Sequence, residues 1–166
     1  AEPREFGRLL QDIVGVEAIV NRVVVHQKLN EELKWLDETN KKYEIENLIT
    51  VGGESRSIDY PGPSVNEALA AIKEYENINL LCGGISIPSR EKESLKLIEK
   101  SENGSEFFTT QVLYDSSKII KMISHYQKRC DEKKTFPRRL LLSFAPVSSE
   151  KIIILLKNVI RKLSII

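Results

Sequence analysis

The sequence predicts an α/β fold built on a parallel sheet, and three observations predict it. Five runs of β-branched and aromatic residues are continuous rather than alternating, as in strands covered on both faces. Segments with helical spacing and strong helix formers stand between those runs. The connections are short, so each helix has to carry the chain back to the edge where its strand began, and successive strands run parallel. A doubly wound sheet and a (β/α) barrel both satisfy this order.

Arg4 to Ile13 reads as a leading helix, and Ala18 to His26 as the first strand. Asn30 to Tyr43 follows as a helix with Leu33, Leu36 and Tyr43 on one side, and then Asn47 to Val51 as the second strand. Ser64 to Glu74 opens on Ser64 with Glu67 three residues later, a capping box in which each side chain satisfies the other residue's backbone donor. Ile78 to Gly83 is the third strand, Arg90 to Glu102 a helix, Glu106 to Leu113 the fourth strand, Ser116 to Lys133 a helix and Arg139 to Phe144 the fifth strand. Leu95, Ile98, Ile119, Ile120 and Ile123 supply the apolar stripes of the last two helices. Lys151 to Ile166, rich in Ile and Leu without a clear polar side, reads as a helix that expects a neighbour.

The 166 residues suit a single domain over 1–166. An eight-unit barrel takes roughly 250 residues, so a TIM-type barrel is expected to be incomplete here, lacking its first units and its last strand. Apolar residues make up 41% and charged residues 30%, with a net charge of +1. That balance gives no field that argues for nucleic acid or membrane as partner. No apolar run reaches the length of a membrane span, and the expected location is cytoplasmic. Cys82 and Cys130 lie far apart and lack the close spacing of zinc ligands. His26 and His125 are the two histidines, and nothing in the sequence brings them together. No GxGxxG, P-loop or HExxH pattern occurs. The basic group Lys128, Arg129, Lys133, Lys134, Arg138 and Arg139 is broken by Asp131 and Glu132, and reads as a solvated helix end and loop.

Parallel α/β folds bind ligands at the carboxyl ends of strands. Four such places carry chemistry. Gly52-Gly53-Glu54 pairs glycines, which admit a close ligand, with a carboxylate. Tyr60-Pro61-Gly62-Pro63-Ser64-Val65 delivers the chain into a helix whose free amides suit an anion. Cys82-Gly83-Gly84 leads on to Arg90, a candidate anion clamp. Gln111, in Phe107-Phe108-Thr109-Thr110-Gln111, is an amide in a strand expected to be buried, so it needs a ligand or a backbone partner.

In order and spacing, these strand ends resemble the methylenetetrahydrofolate reductase family from about Arg22 to Ser149. The strongest likeness is Asn103-Gly104-Ser105-Glu106-Phe107-Phe108-Thr109-Thr110-Gln111-Val112-Leu113-Tyr114-Asp115, and Ala145-Pro146-Val147-Ser148 is similar to a later Pro-Val-Ser turn of that family. The resemblance implies a TIM-type barrel binding FAD, an oxidoreductase of one-carbon metabolism that passes hydride from NADH or NADPH to a folate. It places Gly52, Gly53 and Glu54 beside the flavin ring, Arg22 near the cofactor, Ser64 and Val65 against its nucleotide part and Lys100 at its phosphates. Gln111, Tyr114 and Arg90 become substrate contacts, with Glu54 and Gln111 as the catalytic pair. The likeness departs where Glu99 replaces an arginine, where glycines stand at 52 and 84, and where the family's first-strand glutamate would precede residue 1. The alternatives are a pterin-binding or methyl-transferring barrel without flavin and a noncatalytic interaction domain. Self-association as a homo-oligomer is compatible with each.

Overall fold

The computed structural model describes residues 2–145 apart from Arg56, Glu76, Asn77 and Tyr114. The Pro146-Val147-Ser148 turn and the segment 151–166 lie outside the described residues, as does Tyr114. Helix α1 (Pro3–Val14) begins where the Glu2 carboxylate accepts the Arg4 amide, with Pro3 at the first position, and it ends at Gly15 with φ 69°. Five strands follow, β1 (Ile19–Val23), β2 (Asn47–Val51), β3 (Leu81–Ser86), β4 (Phe107–Thr110) and β5 (Arg139–Leu141). They lie side by side in chain order, and every neighbouring pair is parallel. Between them run α2 (Leu29–Lys41), α3 (Val65–Glu74), α4 (Glu93–Glu102) and α5 (Ser116–Glu132).

Register shows which side of the sheet these four helices cover. Val20 stands beside Leu48, Leu48 beside Cys82, Gly84 beside Phe108, and Phe108 beside Leu140. Residues two apart in a strand share a face, so this whole set points one way. It packs on Leu36 of α2 with Leu69 and Ile72 of α3, and on Leu97 of α4 with Ile119, Met122 and Tyr126 of α5. The four crossover helices therefore share one face, as right-handed connections between sequential parallel strands require. On the opposite face Phe107 lies over Gly83, where an added Cβ would meet the ring at 2.6 Å. Ile49 and Phe107 are buried there, while Ile19, Leu81 and Leu141 are 46%, 42% and 39% exposed. Helix α1 likewise turns Phe6, Leu9, Leu10 and Ile13 to solvent.

Charge also holds the N-terminal part. Arg4 pairs with Glu2 and Glu38 at 3.0 Å each and lies over the rings of Trp35 at 4.4 Å and Tyr43 at 4.8 Å. Arg22 lies 4.2 Å from the Trp35 ring and pairs with the fully buried Glu32 at 2.8 Å.

Several expected boundaries move. The first strand ends at Val23, because Val24–His26 turns as a 3-10 segment whose Val25 carbonyl receives the Gly62 amide. The third strand starts and ends three residues later than expected, so Gly83 and Gly84 lie inside it. Phe107 and the Lys100 stem fill the space that their missing side chains leave. The fourth strand stops at Thr110, which puts Gln111 at its end rather than within it, and the fifth covers only Arg139–Leu141. Helix α4 starts at Glu93 after a turn that includes Arg90. Its Leu95 is exposed, as are Ile120 and Ile123 of α5; the buried stripe of α5 is Ile119, Met122, Tyr126 and Cys130, at positions i, i+3, i+7 and i+11. Among the described residues no helix is long and apolar enough to cross a membrane.

Candidate functional site

A cleft of about 430 Å³ opens where β2, β3 and β4 end. Its floor is the end of β2, from Thr50 through Val51 to Gly52 and Gly53. Tyr60 packs against Gly53 so closely that any side chain there would collide with its ring, and its hydroxyl accepts the Glu54 amide at 3.0 Å. The turn is thereby held open as bare backbone. One wall is the start of α3, with Ser64, Val65 and Asn66. Ser64 and Glu67 form the expected capping box, at 2.7 and 3.3 Å, so the Ser64 hydroxyl is already engaged.

The other wall comes from β3 and α4. Side chains on a helix tilt toward its N-terminus, so Lys100, near the end of α4, runs back up to the carboxyl end of β3. There its ammonium donates to the Ile85 carbonyl at 2.5 Å. Burial pushes the Lys100 ammonium below its ordinary range, and the Glu93 carboxylate partly offsets this. Glu93 is held in turn, since its carboxylate accepts the Ile87 amide at 2.9 Å and faces Arg90 at 3.3 Å, while burial pushes its own pKa up. Lys96 and Glu99 complete this wall, and Asn66 donates across the cleft to Glu99 at 2.6 Å. The Asn66 Oδ1 is buried without a partner among the described residues. Gln111 closes the far side; its backbone amide donates to the Ser86 carbonyl at 2.9 Å.

The cleft brings together Gly52, Gly53, Ser64, Val65, Arg90, Lys100 and Gln111 from among the residues expected at a site. Glu54 is exposed one residue past the glycine floor and is not part of the lining. Arg22 does not reach the cleft either. It sits on the helix-covered face of β1, where both its ion pair with Glu32 and a 2.6 Å hydrogen bond to Gln27 use its guanidinium. Sequence reasoning missed Asn66 and Lys96. Lys96 was findable at i−4 from Lys100 on the same helix side, whereas nothing local marks Asn66. His26, left without a role, sits edge-on to Tyr60 at 5.6 Å.

No protein-family model matches this chain. No curated protein sequence matches it either. A solved structure does. It is described as an uncharacterized protein from Clostridium thermocellum that binds two copies of 5-methyl-5,6,7,8-tetrahydrofolic acid, and it superposes with a TM-score of 0.68 at 21% identity. The likeness covers 85% of this chain and 48% of that one, so this chain spans about half of that structure's length. At such identity the likeness is one of fold.

Proposed function

We propose that the chain is a folate-binding part of a (β/α) barrel, with a reduced pterin lying flat on Gly52 and Gly53. The observation that carries this reading is the convergence of the glycine floor, Lys100 and Gln111 on one cleft at the strand ends. A pterin edge offers an amino group and a ring N–H beside a carbonyl. Asn66 Oδ1 and the Glu99 carboxylate are acceptors for the first two, and the Gln111 amide is a donor for the third. An orphaned buried acceptor such as Asn66 Oδ1 is costly until a ligand donor meets it. A volume of about 430 Å³ falls in the range of small-molecule sites and suits one flat ring system. That a protein of the same fold binds 5-methyltetrahydrofolate supports the choice of ligand.

The barrel is supported by the chain-order sheet, by the four crossover helices on one face, and by the partly exposed opposite face with Ile19, Leu81 and Leu141, which further strands would cover. The test is a calorimetric titration of the purified chain with 5-methyltetrahydrofolate. Binding that weakens about tenfold or more in Asn66→Ala, the loss of one or two buried hydrogen bonds, is expected. Wild-type protein that takes up no folate overturns the reading.

A second reading is the reductase of one-carbon metabolism that the sequence resembles, and the shared cleft of Lys100 and Gln111 favours it. FAD, when bound, would supply the hydride chemistry, with NADH or NADPH as donor. Of the chain's own residues, Lys100 would hold an anionic group and Gly53 would admit the ring, while Arg22 pairs with Glu32 and Gln27 outside the cleft lining. The visible spectrum separates the two readings: flavin bands favour the reductase, and a colourless protein that binds folate favours the first.

A further inference from the structure

Beside the pterin cleft lies a second one of about 510 Å³, between the turn after β3 and helix α5, and Arg90 lines both. Its α5 side carries Lys118, Lys121, His125 and Arg129. At positions i, i+3, i+7 and i+11 these four share one side of the helix, and they span roughly 16 Å at 1.5 Å per residue. Its other side adds Lys92, so five permanently cationic residues face two acids, Glu91 and Glu93, in a chain whose net charge is only +1. Glu93 is already engaged by Arg90 and the Ile87 amide. Among the described residues Lys92, Lys118 and Lys121 have no carboxylate partner, and Arg129 only donates to Ser94 Oγ at 3.0 Å.

From this we infer that the second cleft holds the polycarboxylate tail of the folate whose ring occupies the first, an inference that rests on the folate reading above. Cations strung along a helix, Lys118 and Lys121 about one turn apart and Arg129 about two turns further on, match a linear series of anions better than a compact one such as a single phosphate. Arg90, at the junction, is where the first carboxylate of such a tail would pass from one cleft to the other. The structure thus selects for γ-linked oligoglutamyl folates over folates with a single glutamate.

The experiment compares mono- and pentaglutamyl 5-methyltetrahydrofolate and free penta-γ-glutamate by calorimetry, on the wild-type chain and on Lys118→Glu/Lys121→Glu, at low and high salt. The expected result is a gain of about tenfold from the longer tail, the sum of a few solvent-screened ion pairs. That gain disappears in the double variant and at high salt, while monoglutamyl binding is unchanged in the variant. Equal affinity of the two folates for wild-type protein overturns the inference. If neither folate binds but free pentaglutamate does, and only without the two substitutions, the pterin reading fails and the polycarboxylate groove stands. If pentaglutamate fails to bind as well, both fall.

Discussion

The Lys100 ammonium donates to the Ile85 carbonyl at 2.5 Å at the point where β3 ends, so a half-buried cation sits on the wall of the cleft against a backbone acceptor. Burial pushes its pKa down from 10.5. Between that lowered value and 10.5 the unfolded chain binds more protons than the folded one, and stability rises with pH across this window. Below the lowered value the ammonium is charged in both states and its burial cost is fully present. The difference in thermal stability between wild type and Lys100→Met should therefore change across that window and be flat below it. Melting curves across pH check this, and identical pH profiles for the two proteins would remove the claim. The same substitution should weaken folate binding about tenfold or more, since it deletes a cation from the wall.

Arg22 and Glu32 make the clearest structural pair. Glu32 is fully buried, so Arg22→Ala leaves its charge without a partner and should cost about 3 to 5 kcal/mol. Arg22→Met/Glu32→Met should recover much of that. Urea unfolding of the three proteins measures it, and a single variant as stable as wild type contradicts the assignment.

Gly53→Ala forces the Tyr60 ring away, because even a methyl group collides with it. Overpacking of this kind costs about 1 to 3 kcal/mol, and the displaced ring frees the Glu54 amide. Folate binding should fall further in Gly53→Ala than in Tyr60→Phe, which keeps the ring and deletes only the hydroxyl. Titration of both variants decides the order.

Burial, with a smaller contribution from Glu106, pushes the Cys82 thiol up to about 12. Because the thiolate is the reactive form, Cys82 should resist iodoacetamide in the native protein at mildly alkaline pH and react once the chain is unfolded. Peptide mass spectrometry reads the site, and rapid native labelling of Cys82 would falsify the burial argument.

How much of this was readable from sequence depended on the reach of the interactions involved. The capping box of Ser64 and Glu67 spans three residues, and the limits of β2 follow from its own apolar run, so both were predicted as they occur. The third strand was misplaced because a local window reads Gly83-Gly84 as a terminus. Those glycines pair within the sheet on both sides, and the space beside them is filled by the Phe107 ring and the Lys100 side chain, from residues more than a dozen positions away. Arg22 was assigned toward a ligand by the resemblance alone, and its actual partner, Glu32, is on the next helix. The meeting of Gly53 and Gln111 was anticipated from the rule that parallel sheets bind ligands at their carboxyl ends, whereas Lys100 came from the family resemblance alone, and Glu54, expected beside them, stays outside the lining. The Asn66 to Glu99 link, which joins two helices, had no such rule behind it.

Trp35 is the one tryptophan in the chain, and the guanidinium groups of Arg4 and Arg22 both rest against it. Its emission is therefore a built-in optical reporter of whether the leading helix is seated on the first strand-helix unit. The far end of the sheet, packed with Phe108 and Tyr126, contributes no indole signal of its own. A denaturation followed both by indole fluorescence and by circular dichroism would thus show whether the two ends let go together or in turn.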